Sequence, residues 1–307
     1  MKTDAVILVF GPAEHVVDTL GAVARVRALH KGGRIIGFTH PSFRALLSMS
    51  PAFERVEIAE PSTLQSHWAL AQRIRSLQAD VVYDFDATPS GRLLVRCLSP
   101  FGPRCVAPES SSAPWVDRVA AVLGSALDPA SLVTDLRFLA RRADTQPRLQ
   151  PAFFSIKAPY VLLAPGRAAT LPQAAGWTIP GLARAVETVR DAGYQIVIVG
   201  GAEAREAAKA LAAAAPGSIN LSGRADWIQI GGLALKAAAV VGFGDAWHKI
   251  AVAAGAPSVL FCADLEDGRQ RAPAAGACVR LCPGPTGFTP KAVSDGLRMI
   301  ARTPLPT

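Results

Sequence analysis

The sequence predicts an α/β protein of two domains, each built around a parallel β-sheet that helices cover on both faces. The 307 residues suffice for two hydrophobic cores of about 150 residues each. Short apolar runs alternate with helical patterns along the chain, which is the order of elements in a parallel sheet. In the second half these runs also lack the inside–outside alternation of half-exposed strands, as expected when both faces of a sheet are buried.

In the first half, strands are predicted at 5–10, 34–38, 53–59 and 81–85, and helices around 16–30 and 63–77. Apolar positions between Trp115 and Arg142, interrupted at Pro129, predict a pair of helices that closes the domain. The segment 145–160 contains three prolines without clean periodicity and predicts a linker. We therefore expect domains of residues 1–150 and 151–307.

The second half repeats this order of elements. Strands are predicted at 160–164, 195–200, 219–221, 239–243 and 258–262, and helices at 179–191, 202–214, 226–237, 246–254 and 289–302. Parallel sheets bind ligands beyond the carboxyl ends of their strands. The loops that follow the strands are therefore where a site is expected.

Composition narrows the classes of function. No apolar run approaches the roughly 20 residues of a bilayer span, and the N-terminus lacks the cleavage pattern of a secretory signal. The five cysteines have no metal-type spacing, so we expect reduced thiols in a cytoplasmic protein. The net charge of +8 favours acidic partners. Basic residues are not interleaved with aromatic residues, which makes nucleic acid the weakest candidate.

Two loops of the second half have the composition of a phosphate or ribose site. The loop after its first strand is rich in Gly, Ala and Pro, so that backbone amides near Gly166 can approach a phosphate, and Arg167 and Thr170 add donors. An ordinary flexible connector between strand and helix would have the same composition. The turn after the next strand places Gly201 at the strand end and Glu203 in the first helical turn. Glu203 can accept a ribose hydroxyl, or can simply favour the helix dipole.

The loop after the fourth strand of the second half gives the strongest signal. Gly242 and Gly244 border the strand end, and Asp245 occupies an N-cap position. His248 and Lys249 fall in the first turn of the next helix, where exposed backbone amides attract anions. Together these residues predict a diphosphate pocket, whereas Asp245 alone predicts only a helix cap.

In the first half, polar residues follow two strands that would face the second domain across a cleft. Glu14, His15 and Asp18 lie at the start of the first helix and are candidates for a general base, or are ordinary polar residues at a helix start. The polar residues that follow the later strand can either shape the turn at the strand end or contact an acceptor. These acceptor-side candidates are Asp84, Asp86 and Arg92.

Taken together, these segments resemble glycosyltransferase family 9, the heptosyltransferases that extend the inner core of lipopolysaccharide. The matching pieces lie in order along the chain, at 15–29, 80–94, 160–168, 193–206, 219–243 and 250–261. The resemblance implies a GT-B fold of two Rossmann-like domains that face each other across a cleft. It also implies inverting transfer, without metal or cofactor, of a heptose-like sugar. The N-terminal domain would hold a glycan or glycolipid acceptor, and the C-terminal domain a nucleotide-diphosphate sugar.

The sequence departs from the family pattern in three places. Glu14 and His15 stand where the family has a Gly-Asp pair, so the expected aspartate base is missing. Residues 174–177 read Ala-Ala-Gly-Trp where the family has a lysine. The family signature Asp-Ser/Thr-Gly-x-x-His aligns with residues 244–249, in which Asp245 and His248 are each shifted by one position.

Two functions are consistent with this sequence. The first is a divergent sugar transferase in which His15 or Glu14 deprotonates the acceptor, since a neutral imidazole is a competent base near pH 7. The second is a catalytically inactive relative that acts as a binding or scaffold protein, which the three departures favour. A nicotinamide enzyme is disfavoured because no GxGxxG motif follows the first strand of either domain. The positive charge also predicts peripheral contact with the anionic inner membrane.

Overall fold

The computed structural model describes residues 3–99, 102–109, 113, 115–124, 134–157, 159–166, 179–264, 277–282 and 290–301. The chain divides into two compact units, Met1–Thr134 and Asp135–Thr307. This division lies earlier in the chain than the boundary that we predicted near Pro151. Among the described residues, no helix is both long enough and apolar enough to cross a bilayer.

The first unit contains a five-stranded parallel sheet with the order β3 (Arg55–Ile58), β2 (Ile35–Thr39), β1 (Ala5–Val9), β4 (Val81–Asp84) and β5 (Arg104–Val106). The central strand β1 is buried along its whole length, and the edge strand β3 is partly exposed, as expected for a sheet with helices on both faces. Its elements are β1 (Ala5–Val9), α1 (Ala13–Leu29), β2 (Ile35–Thr39), α2 (Pro41–Ser48), β3 (Arg55–Ile58), α3 (Leu64–Ser76), β4 (Val81–Asp84), α4 (Pro89–Leu98), β5 (Arg104–Val106) and α5 (Trp115–Leu123).

The four predicted strands and the two predicted helices around 16–30 and 63–77 are confirmed in this unit. The short elements α2, α4 and β5 were not predicted. Both unpredicted helices begin at a proline, and Thr88 caps α4 by accepting a hydrogen bond from the Gly91 amide. A cap followed by proline is a helix start signal that a search for apolar periodicity alone passes over.

The second unit contains a six-stranded parallel sheet with the order β11 (Cys278–Leu281), β10 (Ser258–Phe261), β9 (Ala239–Gly242), β6 (Tyr160–Ala164), β7 (Gln195–Ile198) and β8 (Ile219–Asn220). The five strands predicted for the second half are confirmed, and β11 is an additional edge strand. Its elements are α6 (Ala140–Ala143), β6 (Tyr160–Ala164), α7 (Ile179–Asp191), β7 (Gln195–Ile198), α8 (Arg205–Ala214), β8 (Ile219–Asn220), α9 (Trp227–Ala234), β9 (Ala239–Gly242), α10 (Ala246–Ala253), β10 (Ser258–Phe261), β11 (Cys278–Leu281) and α11 (Pro290–Ile300).

Both sheets have a point at which the strand order reverses, between β1 and β4 in the first and between β6 and β9 in the second. The loops after two neighbouring strands diverge there and leave a crevice at the carboxyl edge of the sheet, where open α/β sheets bind their ligands. The loops that the sequence singled out after the strands β1, β4, β6 and β9 therefore border these two switch points.

The segment that precedes the predicted boundary packs on the second unit. The Leu136 amide donates to the Ala253 carbonyl at 2.8 Å, and Leu149 lies against α9 at Gly232. Glycine is needed at this position, because a Cβ atom at residue 232 would lie 2.7 Å from the Leu149 carbonyl oxygen. The predicted second helix of a closing pair is a short 3-10 turn at 137–139 followed by α6, and residues 125–133 lie outside the described residues.

We expect Gly232→Ala to destabilise the protein although it places alanine in a helix. The clash is with backbone, which cannot rotate away, and overpacking costs about 1–3 kcal/mol, whereas the gain in helix propensity is only about 1 kcal/mol. Gly296→Ala in α11 is the matched control, since its Cβ would meet nothing closer than 3.4 Å. Urea unfolding should give a lower free energy of unfolding for Gly232→Ala alone; equal stability of the two variants would contradict this packing.

Candidate active site

The switch point of the first sheet brings together a histidine and an aspartate that are far apart in the sequence. His15 lies in the first turn of α1, after β1, and Asp86 follows β4, which pairs with β1. His15 Nδ1 lies 2.8 Å from Asp86 Oδ1. The Asp86 side chain is 1% exposed and the His15 side chain 28%, so the pair has a buried carboxylate and an imidazole that solvent can reach.

Asp84 shapes the turn that places Asp86. Its Oδ1 atom accepts hydrogen bonds from the backbone amides of Asp86 (3.0 Å) and Ala87 (3.1 Å), and Ala87 has a positive φ of 47°. Burial raises the pKa of the Asp84 carboxyl to about 6. Asp84 and Asp86 were predicted as acceptor-side residues, but both are buried. Asp86 therefore contacts His15 from the interior, and Asp84 positions Asp86. Neither side chain is exposed enough to contact an acceptor directly.

Arg118 on α5 is the third member of this cluster, and the sequence analysis did not select it. Its Nη1 atom donates to the Asp86 carbonyl at 3.2 Å and lies 3.6 Å from Asp86 Oδ1. Its guanidinium also lies over the Trp115 ring, which stacks on His15 with a centroid separation of 5.5 Å. A buried aspartate is thereby paired with a buried cation, as a charge in the interior requires.

The cluster fixes the hydrogen positions on His15. A carboxylate only accepts hydrogen bonds, so Nδ1 carries the proton that it donates to Asp86, and Nε2 carries the lone pair. Arg118 Nη2 lies 3.4 Å from Nδ1 and 3.2 Å from Nε2. With the proton on Nδ1, the Arg118 N–H donates to the lone pair of Nε2. Nε2 is thus the basic nitrogen of His15, and an acceptor hydroxyl would replace Arg118 as its partner before proton transfer.

Gly11 makes room for this pair. A Cβ atom at residue 11 would lie 2.3 Å from Asp86 Oδ2, so only glycine lets the chain that leaves β1 pass over the carboxylate.

The other candidate residues predicted in the first unit lie in different surroundings. Glu14 and Asp18 are half-buried in the first two turns of α1, and Arg92 is exposed in the first turns of α4.

The switch point of the second sheet brings together the glycine-rich loops after β6 and β9. Ala164 pairs with Gly242 across these strands. Gly166 and Gly244 follow with positive φ angles of 66° and 75°, a conformation that favours glycine. Asp245 caps α10, since its Oδ1 atom accepts from the His248 amide at 2.8 Å, which confirms the predicted cap. Lys249 lies half-buried in the first turn of the same helix.

The structure corrects the role predicted for His248. Its side chain is buried, Nε2 lies 2.6 Å from the Ser258 hydroxyl on β10, and the Gly244 amide donates to Nδ1 at 3.4 Å. Burial is the main cause that lowers its pKa to about 3, and the charge of Lys249 adds to it. The ring is thus neutral and faces the interior, where it joins the loop after β9 to β10 and cannot contact a diphosphate.

An aromatic pair that the sequence analysis did not select lies beside Glu203. Trp247 Nε1 donates to Glu203 Oε1 at 3.0 Å, and the Trp247 ring stacks on Trp227 at 3.7 Å between centroids. Glu203 is exposed, and its Oε1 atom also accepts from the Gly201 amide at 3.2 Å. The three side chains come from the first turns that follow β7, β8 and β9, so they meet at the carboxyl edge of the sheet.

The remaining predicted donor residues, Arg167 and Thr170, lie outside the described residues, as do residues 174–177. Among the residues that are described, no group of three or more His, Cys, Asp or Glu side chains has the arrangement of a metal site. The prediction that the reaction needs no metal or cofactor stays a prediction.

Known structures share this fold over nearly the whole chain. E. coli ADP-heptose lipopolysaccharide heptosyltransferase II matches with a TM-score of 0.77 and 18% identity, covering 97% of this chain and 98% of that chain. A glycosyltransferase family 9 protein from Veillonella parvula DSM 2008 matches with a TM-score of 0.76 and 11% identity, with the same coverage of 97% and 98%. E. coli heptosyltransferase WaaC with ADP gives a TM-score of 0.68 and 15% identity, covering 97% and 99%.

These likenesses identify the fold as GT-B, with two α/β units that each contain a parallel sheet. A search of curated proteins finds no significant match to the sequence. The sequence model of the family Glycosyltransferase family 9 (heptosyltransferase), however, matches residues 96–272, which is more than half of the chain. The chain therefore belongs to glycosyltransferase family 9 and is a glycosyltransferase.

Proposed function

We propose that this enzyme transfers a heptose-like sugar from a nucleotide-diphosphate donor to a lipopolysaccharide or other cell-surface glycan, with His15 as the general base. The observation that supports this proposal most directly is the 2.8 Å contact between His15 Nδ1 and the buried Asp86 carboxylate. The family's aspartate base is missing, and this pair supplies a base of another kind at the switch point of the same domain.

The proposed chemistry is a single inverting displacement. His15 Nε2 accepts the proton of the acceptor hydroxyl while that oxygen attacks the anomeric carbon of the donor. The bond between the anomeric carbon and the diphosphate breaks, and a nucleoside diphosphate leaves. Asp86 holds the imidazole in the required tautomer and stabilises the imidazolium that forms, and the buried Arg118 stabilises Asp86 in its charged state.

We propose that the donor binds at the carboxyl edge of the second sheet. The backbone amides near Gly166 and Gly244 would contact the diphosphate, together with Lys249 at the start of α10. Glu203 would accept a ribose hydroxyl through Oε2, because Oε1 is occupied by Trp247 Nε1. The structure of WaaC contains ADP, and a related structure of that enzyme contains ADP-2-deoxy-2-fluoro heptose, which makes ADP-sugars the first donors to test.

Calorimetry with ADP, UDP, GDP and their sugars tests the donor site. We expect Glu203→Gln to weaken nucleotide binding by about tenfold or more, since a hydrogen bond to a charged group contributes about 1.5–3 kcal/mol. The same variant should bind inorganic pyrophosphate as the unaltered protein does, because pyrophosphate has no ribose. Glu206→Gln is the matched control, as Glu206 is an exposed acid near the start of α8.

Turnover decides between the two functions that the sequence left open. Release of a nucleoside diphosphate from a nucleotide-sugar, with or without an added glycan acceptor, is expected from a transferase. Absence of binding to any nucleotide or nucleotide-sugar would instead favour a scaffold protein. The proposed contact with an anionic membrane depends on the net charge of +8 alone and stays a prediction.

A further inference from the structure

Two of the five cysteines lie side by side at the carboxyl edge of the second sheet. Cys262 directly follows β10 and Cys282 directly follows β11, and these strands are parallel neighbours with Phe261 paired to Leu281. The Cys262 amide donates to the Leu281 carbonyl at 3.1 Å, which extends the same register by one residue. The two Sγ atoms are 2.8 Å apart.

This arrangement meets the backbone requirement of a disulfide. Neighbouring strands lie about 4.8 Å apart, which falls within the Cα separations of about 4.4–6.8 Å that disulfides span. In a parallel register, paired residues point to the same side of the sheet, so the two thiols face each other without a change in the backbone. Cys262 is buried and Cys282 is half-buried, so a reagent reaches Cys282 first.

We propose that Cys262 and Cys282 form a reversible, oxidant-responsive disulfide, a modification site that is separate from the proposed transfer chemistry. With hydrogen peroxide as oxidant, the Cys282 thiolate attacks one peroxide oxygen and the O–O bond breaks, which gives a sulfenic acid at Cys282. The other oxygen leaves as hydroxide and takes up the proton that the Cys282 thiol released, so that one water molecule forms. The Cys262 sulfur then attacks the Cys282 sulfur, the S–O bond breaks, and a second water leaves. Two thiols lose two electrons and two protons, and hydrogen peroxide is reduced to two waters.

The chain supplies an internal control on the same strand. Cys278 lies at the other end of β11, where its Sγ atom is 3.8 Å from the Ser258 hydroxyl, and Ser258 in turn contacts His248. Its register partner is therefore a serine that cannot form a disulfide. Cys278→Ser should leave the proposed pair intact, whereas Cys282→Ser removes it.

Trypsin separates the three cysteines of this region. Cleavage after Lys249, Arg269, Arg271, Arg280 and Lys291 places Cys262, Cys278 and Cys282 in the peptides 250–269, 272–280 and 281–291. After the folded protein is treated with hydrogen peroxide and its remaining thiols are alkylated, mass spectrometry should find peptides 250–269 and 281–291 linked. The oxidised intact protein should be 2 Da lighter than the reduced protein and should run as a monomer on a non-reducing gel. Dithiothreitol should restore the mass and separate the two linked peptides.

The linked pair should form in Cys278→Ser and be absent in Cys282→Ser. The proposal is overturned if the link joins Cys278, if it joins two copies of the chain, or if Cys282 is oxidised to the sulfinic acid with no link to Cys262. Because the assay measures a covalent bond and not sugar transfer, its result is independent of the proposed function.

Discussion

Asp86→Asn should lower the kcat of sugar transfer by about 10²–10⁴-fold, the contribution typical of an oriented general base. The substituted amide can donate its N–H to His15 Nδ1, which would move the ring proton to Nε2 and remove the lone pair that accepts the acceptor's proton. His15→Ala should cause a loss of similar size because it removes the imidazole itself. Steady-state kinetics with the donor and acceptor identified by turnover would measure both.

Two controls separate the loss of the base from a loss of folding. Asp80→Asn alters an exposed carboxyl that precedes the same strand, β4, at the amino edge of the sheet, and should leave kcat unchanged. Nucleotide affinity should also be unchanged in Asp86→Asn, because the proposed donor residues all belong to the second unit. Full activity of His15→Ala would remove His15 from the mechanism and leave Glu14 and Asp18 as the bases to test.

The free energy of unfolding should depend on pH through His248. Its pKa is about 3 in the folded protein, and an unfolded histidine titrates near pH 6.5. Above pH 6.5 the residue is neutral in both states, and its contribution to stability is fully present. Between about pH 6.5 and 3 the unfolded chain binds a proton that the folded chain does not, so stability falls by up to about 1.4 kcal/mol per pH unit as the pH is lowered.

Asp84 acts in the opposite direction over part of this range. Its pKa is raised from 3.8 to about 6 on folding, so between these values the folded protein binds the additional proton and lower pH favours folding. His248→Gln should therefore reduce the loss of stability in acid, even if the variant is less stable throughout. Asp84→Asn should steepen that loss.

Chemical unfolding at a series of pH values between 4 and 7 would measure the slopes. The slope, and not the absolute stability, is the diagnostic quantity, because replacing a buried histidine also costs its hydrogen bond to Ser258. An unchanged slope in His248→Gln would mean that the ring takes up a proton over the same pH range in the folded and the unfolded protein. The ring would then not be shielded in the interior, and a contact with a ligand would have to be considered again.

One member of the base cluster could have been found in the sequence. Trp115, Val119 and Val122 form an apolar stripe with helical spacing, and Arg118 lies on that same stripe. A charge on the buried face of a helix requires a partner, so the position of Arg118 is a signal for an interior ion pair, and our prediction did not use it. The identity of that partner, Asp86, could not be predicted, since it depends on how α5 packs beside β4.

The sequence by itself determined most of the strands and helices, the order of the two α/β units and the loops that border the two switch points. These features depend on local patterns: apolar runs, helical periodicity and caps such as Asp245 act over a few residues.

Only the tertiary structure decided which polar residues meet. His15 and Asp86 are 71 positions apart and are joined because β1 and β4 are neighbours, and Cys262 meets Cys282 because β10 and β11 are. His248 faces the interior because Ser258 is across from it. Strand neighbours and side-chain burial are properties of the assembled sheet, and no local pattern specifies them.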